Sequence, residues 1–434
     1  MTNTFRSLFN INNRAEFVPL PISYFKNSIK ADPTIPLIIV SLGILLTASS
    51  GSWDITNHLL NRPETFFSPP HAGIYSGVVL VLLGTLMTYR NHKLRSRISD
   101  ISHRKSLPTY LLLLIIGTVM LISAGPFDFA WHTAFGFDGL LSPSHAVLTA
   151  GMALCGIGAF LGLISKDNYW HSMKTKIGTD ETNRDNYHSL ELKSTSSAET
   201  MRYNKMSSLY IIISLAAVWI TVSGIIHMAS LPFSDTDFFN FNPNPILAGL
   251  IASLCFPFLV SFTLFTSWEI TKKFGVLSAT GMIFIFVNLT TSILPNENLV
   301  PTIPFYIMNV IPIIVIDVLL SLPILGRSPS SILSSQTRKR LVNLIAGAVL
   351  GLIFFTLYFP LITHTYNEVS ANPQMVWPSA TASIYFGMIY EMYPLLVLSS
   401  IAAGILGVLV SSKLAGHSFW LGSVGNRIET SILD

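Results

Sequence analysis

The sequence predicts an all-α polytopic membrane protein of about ten transmembrane helices built from helical hairpin repeats. Three observations predict it. Half of the 434 residues are hydrophobic and 11% are charged, a balance that belongs in a bilayer. The apolar residues gather in runs near the ~20 residues that cross a hydrocarbon core. One stretch, 51–77, recurs in register as 125–151. The runs are too long and too uniformly apolar for barrel strands, which alternate over about ten residues.

The elements follow in chain order. Residues 1–34 are polar and mixed, without the basic-then-apolar order of a cleaved signal, and read as an N-terminal tail. Spans at 35–55 and 71–90 make hairpin one, and spans at 108–131 and 145–165 make hairpin two. These form a four-helix unit over 35–165. Residues 166–206 are polar and rich in Ser, Thr, Asn and Lys, and read as a mobile cytoplasmic linker. Spans at 207–231, 245–268, 275–294, 302–325, 341–364 and 380–411 then form a six-helix unit over 207–412, and 413–434 is a C-terminal tail.

Basic residues set the orientation. All of the 26 Lys and Arg except Arg62 fall in the tails or in loops after even-numbered spans, densest in 90–105, 166–205 and 327–340. With ten spans both termini are cytoplasmic in the cell membrane, and the loops after odd-numbered spans face outward. This bias accounts for the net charge of +4, which therefore does not argue for nucleic acid. Cys155 and Cys255 lie within apolar spans and behave as small apolar residues, with no metal spacing and no disulfide framework.

The duplicated stretch carries the chemistry. Asp54, His58 and His71 form the pattern D-x3-H-x12-H, and Asp128, His132 and His145 form it again 74 positions later. The same offset pairs Gly51 with Gly125, Ser68 with Ser142, Pro69 with Pro143, Ala72 with Ala146 and Gly77 with Gly151. Turn architecture explains the kept Gly, Ser and Pro. It does not explain why the carboxylate and both imidazoles survive. Residues four apart share one helix face, one turn apart. Ser-Pro then starts the returning helix, Ser as N-cap and Pro at the first position, which puts His71 and His145 in a first turn. Three ligands with an open position favour chemistry or exchange. Two imidazoles and a carboxylate suit copper, zinc or iron, and a site facing outward is a natural place for copper.

Aromatic residues surround the sites: Trp53, Phe66, Phe67, Phe127, Phe129, Trp131, Phe135 and Phe137. An interfacial aromatic belt accounts for them most simply. Glu64 and Asp138 lie in the same loops as candidate partners of the ligands. Fainter echoes follow: span five ends in His227, span nine in His364, and 378–387 aligns with 68–77 with Thr381 in place of His71 and with Tyr385 and Gly387 matching Tyr75 and Gly77. These read as decayed repeats that lost their ligands. Asp317 in span eight and Glu391 in span ten are carboxylates within the membrane, where ionisable groups are costly. An ion or proton path and an interhelical hydrogen bond are both open for them.

The segment 54–77, D-I-T-N-H-L-L-N-R-P-E-T-F-F-S-P-P-H-A-G-I-Y-S-G, resembles a metal site of the copper membrane monooxygenases, the particulate methane and ammonia enzymes. In that family one membrane subunit bears a D-x3-H-x12-H site at the outer end of a helical hairpin. The F-S-P-P-H-x-x-I-Y-S portion is similar to the ammonia branch. Ala130-Trp131-His132 followed by Ser142-Pro143-Ser144-His145 resembles the second hairpin of the same subunit. The resemblance covers about residues 35–165. It implies that Asp54, His58 and His71 match copper ligands, that His132 and His145 match the second hairpin's histidines with Asp128 as a further candidate, and that other membrane subunits are partners. The chain departs from that family in its six-helix C-terminal unit, in a full triad on both hairpins, and in lacking a cupredoxin-like domain. The leading expectation is an integral membrane metalloprotein, a monooxygenase-like or oxidase-associated subunit. The alternatives are a transporter or permease for metal ions or small solutes, with the triads as capture sites, and a scaffold whose loops merely turn helices.

Overall fold

A computed structural model describes residues 33–59, 65–98, 107–136, 141–181, 189–230, 245–293, 297–321, 335–354, 356 and 392–416. Among them the protein is all-helical, with no strand. Seven helices are long and apolar enough to cross a membrane: α1 (Thr34–Leu59), α2 (Pro69–Ile98), α3 (Thr109–Phe135), α4 (Pro143–Glu181), α5 (Ser189–Ser230), α6 (Pro245–Thr271) and, nearest the C-terminus, α11 (Tyr393–Gly416). The protein is therefore a multi-pass membrane protein. Three shorter apolar stretches stand where the other spans were expected: α7 (Val276–Ile293), the pair α8 (Ile303–Met308) and α9 (Val310–Ser321), and α10 (Ser335–Ile353).

Proline marks the starts. Pro69, Pro143 and Pro245 open their helices, where a missing N–H costs nothing and a fixed φ suits the first turn. Inside a helix it breaks the ladder. The expected single span 302–325 is instead a 3₁₀ turn (Glu297–Thr302), α8 and α9. Pro312 has no N–H to offer the Met308 carbonyl, and the helix parts at Asn309. In the polar segment 166–206, α4 runs on to Glu181 and α5 begins at Ser189.

Helices α1 to α4 form an antiparallel ring: α1 packs on α2, α2 on α3, α3 on α4, and α4 on α1. The duplication reaches further than the ligand segment and is repeated in contacts. A methyl group on Gly43 would lie 2.8 Å from the Gly77 carbonyl oxygen, and one on Gly117 would lie 2.7 Å from that of Gly151. Likewise Gly84 faces the Pro36 carbonyl and Gly158 that of Tyr110. All four pairs keep the offset of 74. The helices of each hairpin thus cross on glycine, with backbones in contact, the usual small-residue solution where no water drives association. The cores match too: Leu37 and Leu111, Val40 and Leu114, and Val81 and Cys155 are each fully buried.

The rest of the molecule breaks this symmetry. Helix α5 packs against α1 and α4, and α7 also reaches α1. Ala217 of α5 joins the core of the ring, while Trp219, two residues on, stacks on Phe284 of α7 at 4.1 Å in the second core. So α1 and α4 are inner helices. Helices α2 and α3 are outer ones, with large apolar residues such as Leu86 and Val119 exposed, as suits a lipid-facing surface. Helices α6, α10 and α11 close the C-terminal unit through another glycine contact, Gly347 against Gly404.

Candidate metal centre

The hairpin tips place the duplicated residues at one end of the ring. In hairpin two, Asp128 and His132 stand one turn apart on α3 and His145 lies in the first turns of α4. Asp128 Oδ1 is 3.4 Å from His132 Nε2 and 3.4 Å from His145 Nε2. The three ligand atoms lie within 4.8 Å of one another, a group that could hold a metal ion. Asp128 is oriented by the Ser144 hydroxyl, which donates to Oδ1 at 2.7 Å. Ser142 acts as the expected N-cap: its Oγ accepts the His145 N–H at 3.3 Å. Gly136, at φ +76°, ends α3 by returning its N–H to the His132 carbonyl. That positive-φ turn, which glycine adopts without a Cβ penalty, leaves the Gly136 carbonyl 3.0 Å from His132 Nδ1.

Hairpin one repeats the plan with one side chain fewer in view. His71 Nε2 is 3.0 Å from Asp54 Oδ1, and His71 Nδ1 is 2.9 Å from the Thr65 carbonyl. His58 sits on α1 one turn beyond Asp54, and its side chain lies outside the described residues, as do Glu64, Phe137 and Asp138. Ser68 does not repeat the cap of Ser142: its buried hydroxyl makes no hydrogen bond, and the turn closes through the backbone, Ser68 N–H to Thr65 carbonyl.

Both hairpins therefore hold a histidine Nδ1 against a main-chain carbonyl. A carbonyl only accepts, so Nδ1 carries the proton, and a neutral ring then presents the Nε2 lone pair to the carboxylate. Two acceptors at 3.0–3.4 Å repel unless a proton or a cation lies between them. This is also how a metal-binding histidine is held, with its second nitrogen tied to a carbonyl. The two Asp–His separations of hairpin two, 3.4 Å each, match the edge of such a site: four ligands at ~2.05 Å around a tetrahedral ion lie about 3.3–3.4 Å apart.

The two sets are neighbours. Phe66 of hairpin one packs on Tyr75 at 5.0 Å and meets Phe129 of hairpin two edge-on at 6.3 Å. Tyr75 lies 6.1 Å from the His71 ring and within the field of both Asp54 and Asp128. Among the described residues the structure closes one group of metal size, in hairpin two, and does not merge it with Asp54 and His71.

The intramembrane carboxylates separate. Asp317 of α9 is fully buried. Its Oδ2 accepts the N–H groups of Gly275 and Ser278 at 3.0 Å each and the Ser278 hydroxyl at 2.7 Å. It caps α7 from a neighbouring helix, the interhelical use of such a group. Glu391, His364 and the segment 378–387 lie outside the described residues. Sequence reading missed Ser144 and Tyr75. Ser144 carried a signal, since it stands two residues after Ser142 in a helix start, but a serine there reads as capping alone.

No protein-family model matches the chain, and no curated protein or solved structure does either.

Proposed function

We propose that the protein is an integral membrane metalloprotein whose two Asp/His/His sets hold copper. Its role would be akin to that of the hairpin-site subunit of the copper membrane monooxygenases, or to that of an oxidase-associated subunit. The observation that carries this reading is the Asp128/His132/His145 group, whose three ligand atoms lie within 4.8 Å of one another with both Asp–His separations at 3.4 Å, on a hairpin whose counterpart brings Asp54 and His71 together in the same way. Copper over zinc or iron rests on the resemblance of residues 54–77 and on the outward placement that the Lys/Arg bias assigns to both hairpin tips. On that reading both termini are cytoplasmic, and the outer faces of α2 and α3 face lipid or a partner subunit.

Copper held by these residues would supply redox chemistry. The chain's own part is defined by geometry. Asp128 and Asp54 lend the negative charge that favours a cation, the Gly136 and Thr65 carbonyls fix which ring nitrogen is presented, and Ser144 fixes the carboxylate. In the transport alternative the triads would be capture sites; of its two intramembrane carboxylates the capped Asp317 supports a structural task, and Glu391 lies outside the described residues.

Elemental analysis of the detergent-purified protein beside His71→Ala/His145→Ala tests the reading. The expected result is near-stoichiometric copper that disappears in the variant. Zinc or iron would keep the sites and remove the monooxygenase analogy. Wild-type protein that holds no metal after copper loading would overturn the proposal.

A further inference from the structure

Beneath the hairpin tips lies a cavity of about 120 Å³. One residue of each metal set lines it, Asp54 from α1 and His145 from α4, because these are the two inner helices. Its far wall comes from helices outside the duplicated unit: Ser223 and His227 of α5, and Phe284 and Asn288 of α7. The wall is mostly hydrocarbon, and no Lys or Arg lines it.

The hydroxyls of the wall differ from one another. Thr149, Thr221 and Thr291 return theirs to carbonyls of their own helices at 2.8–2.9 Å, the normal fate of a hydroxyl in a membrane helix. Ser223 does not. It is 2% exposed, and its buried Oγ makes no hydrogen bond. A buried hydroxyl without a partner is destabilising, and an apolar residue of similar size would avoid that. Turned to another staggered rotamer, the hydroxyl would meet a bound molecule at the cavity wall, which Ser223 lines.

We infer that this cavity is a binding chamber for a small uncharged molecule with one hydrogen-bonding group, which Ser223 engages while Asp54 and His145 face it from the opposite wall. The size follows from volume: a cavity of roughly 150 Å³ holds benzene, so the part of the occupant held within these walls has about six non-hydrogen atoms or fewer. The absence of a lining Lys or Arg disfavours an anion. The inference concerns the mouth that both metal sets share, yet it rests on the cavity and on Ser223 and not on metal being bound.

The probe is 2-bromoethanol, which has four non-hydrogen atoms, one hydroxyl and a bromine that quenches tryptophan emission. Trp219 stacks on the Phe284 wall at 4.1 Å and serves as reporter. Metal-stripped, detergent-purified protein should show a saturable quenching component that Trp219→Phe removes. Ser223→Ala, which keeps the shape and removes the hydroxyl, should raise its midpoint about three- to tenfold, the range of one neutral hydrogen bond. Ser223→Leu, which fills the chamber, should leave only linear quenching. Linear quenching in the wild type would overturn the chamber, and an unchanged midpoint in Ser223→Ala would overturn the role of Ser223. Protein that binds the probe saturably but never takes up copper would sink the metal reading alone. Protein that holds copper but quenches linearly would sink this one alone.

Discussion

Hairpins one and two have the same glycine crossings and the same ligand pattern, and they end up with different surroundings. In hairpin one the carboxylate is on the inner helix: the Asp54 side chain is 6% exposed and faces the shared cavity. In hairpin two the carboxylate is on the outer helix, 24% exposed, and the cavity receives His145 instead. The cause is position. The ring α1 to α4 is nearly two-fold, and α5 covers only its α1/α4 side. A duplicated sequence therefore gives a first arm that is central in one copy and peripheral in the other. Local chemistry is inherited by repetition, whereas burial and access are set by whatever docks against the pair.

The strongest test of the shared plan is the crossing itself. Gly43→Val and Gly117→Val each drive side-chain carbon into a facing carbonyl oxygen less than 3 Å from the new Cβ. Overpacking commonly costs ~1–3 kcal/mol, and here the obstacle is backbone and cannot rotate away, so the cost should meet or exceed that range. Both variants should show equal, large losses of monodisperse protein and of thermal midpoint in detergent. A large loss in one hairpin with a tolerated change in the other would break the equivalence of the two crossings.

The sequence carried what is local or periodic. Apolar runs located the seven long helices and the three shorter apolar stretches among the described residues, but length alone did not show that Pro312 parts the eighth. The offset of 74 exposed the six candidate ligand residues, because Asp, His, Ser and Pro are conspicuous against apolar helix. The same offset joins Gly43 to Gly117 and Gly84 to Gly158, a signal overlooked because glycine is common in membrane helices and only contact gives it meaning. Ser223 had no signal at all. A serine in an apolar span reads as bonded to its own helix, and it takes α1, α4 and α7 around it to show otherwise. His227 read as a relic of a lost repeat, and the fold places it on the cavity that the intact repeats share.

A smaller effect separates the two sites. Ser144, which donates to Asp128 at 2.7 Å, stands where hairpin one has Pro70. Partners that orient a ligand are worth about 10–100-fold in metal affinity. Ser144→Ala should therefore weaken metal retention of hairpin two by at least about tenfold in chelator competition and leave hairpin one unchanged. Pro70→Ser should not weaken hairpin one, because Pro70 offers no donor there. Equal weakening of both sites by Ser144→Ala would mean that they act as one centre.

The smallest expected effect concerns the seam between the hairpins. Thr118 of α3 donates to the Leu114 carbonyl at 2.6 Å, so in its 3.0 Å contact with Thr85 of α2 it is Thr85 that donates. The repeat places Ile44 and Ala159 at the corresponding positions, so this bond belongs to the seam of the outer helices and has no counterpart between α1 and α4. Hydrogen bonds between membrane helices average about 0.6 kcal/mol. Thr118→Val keeps the shape and removes both bonds together with the weak 3.8 Å contact of Thr118 with Cys155 Sγ of α4, but Thr85 retains the option of its own backbone. The thermal midpoint should fall by only a few degrees, with copper content unchanged. A drop as large as that of Gly117→Val would show that the outer seam, and not the glycine crossings, holds the ring together.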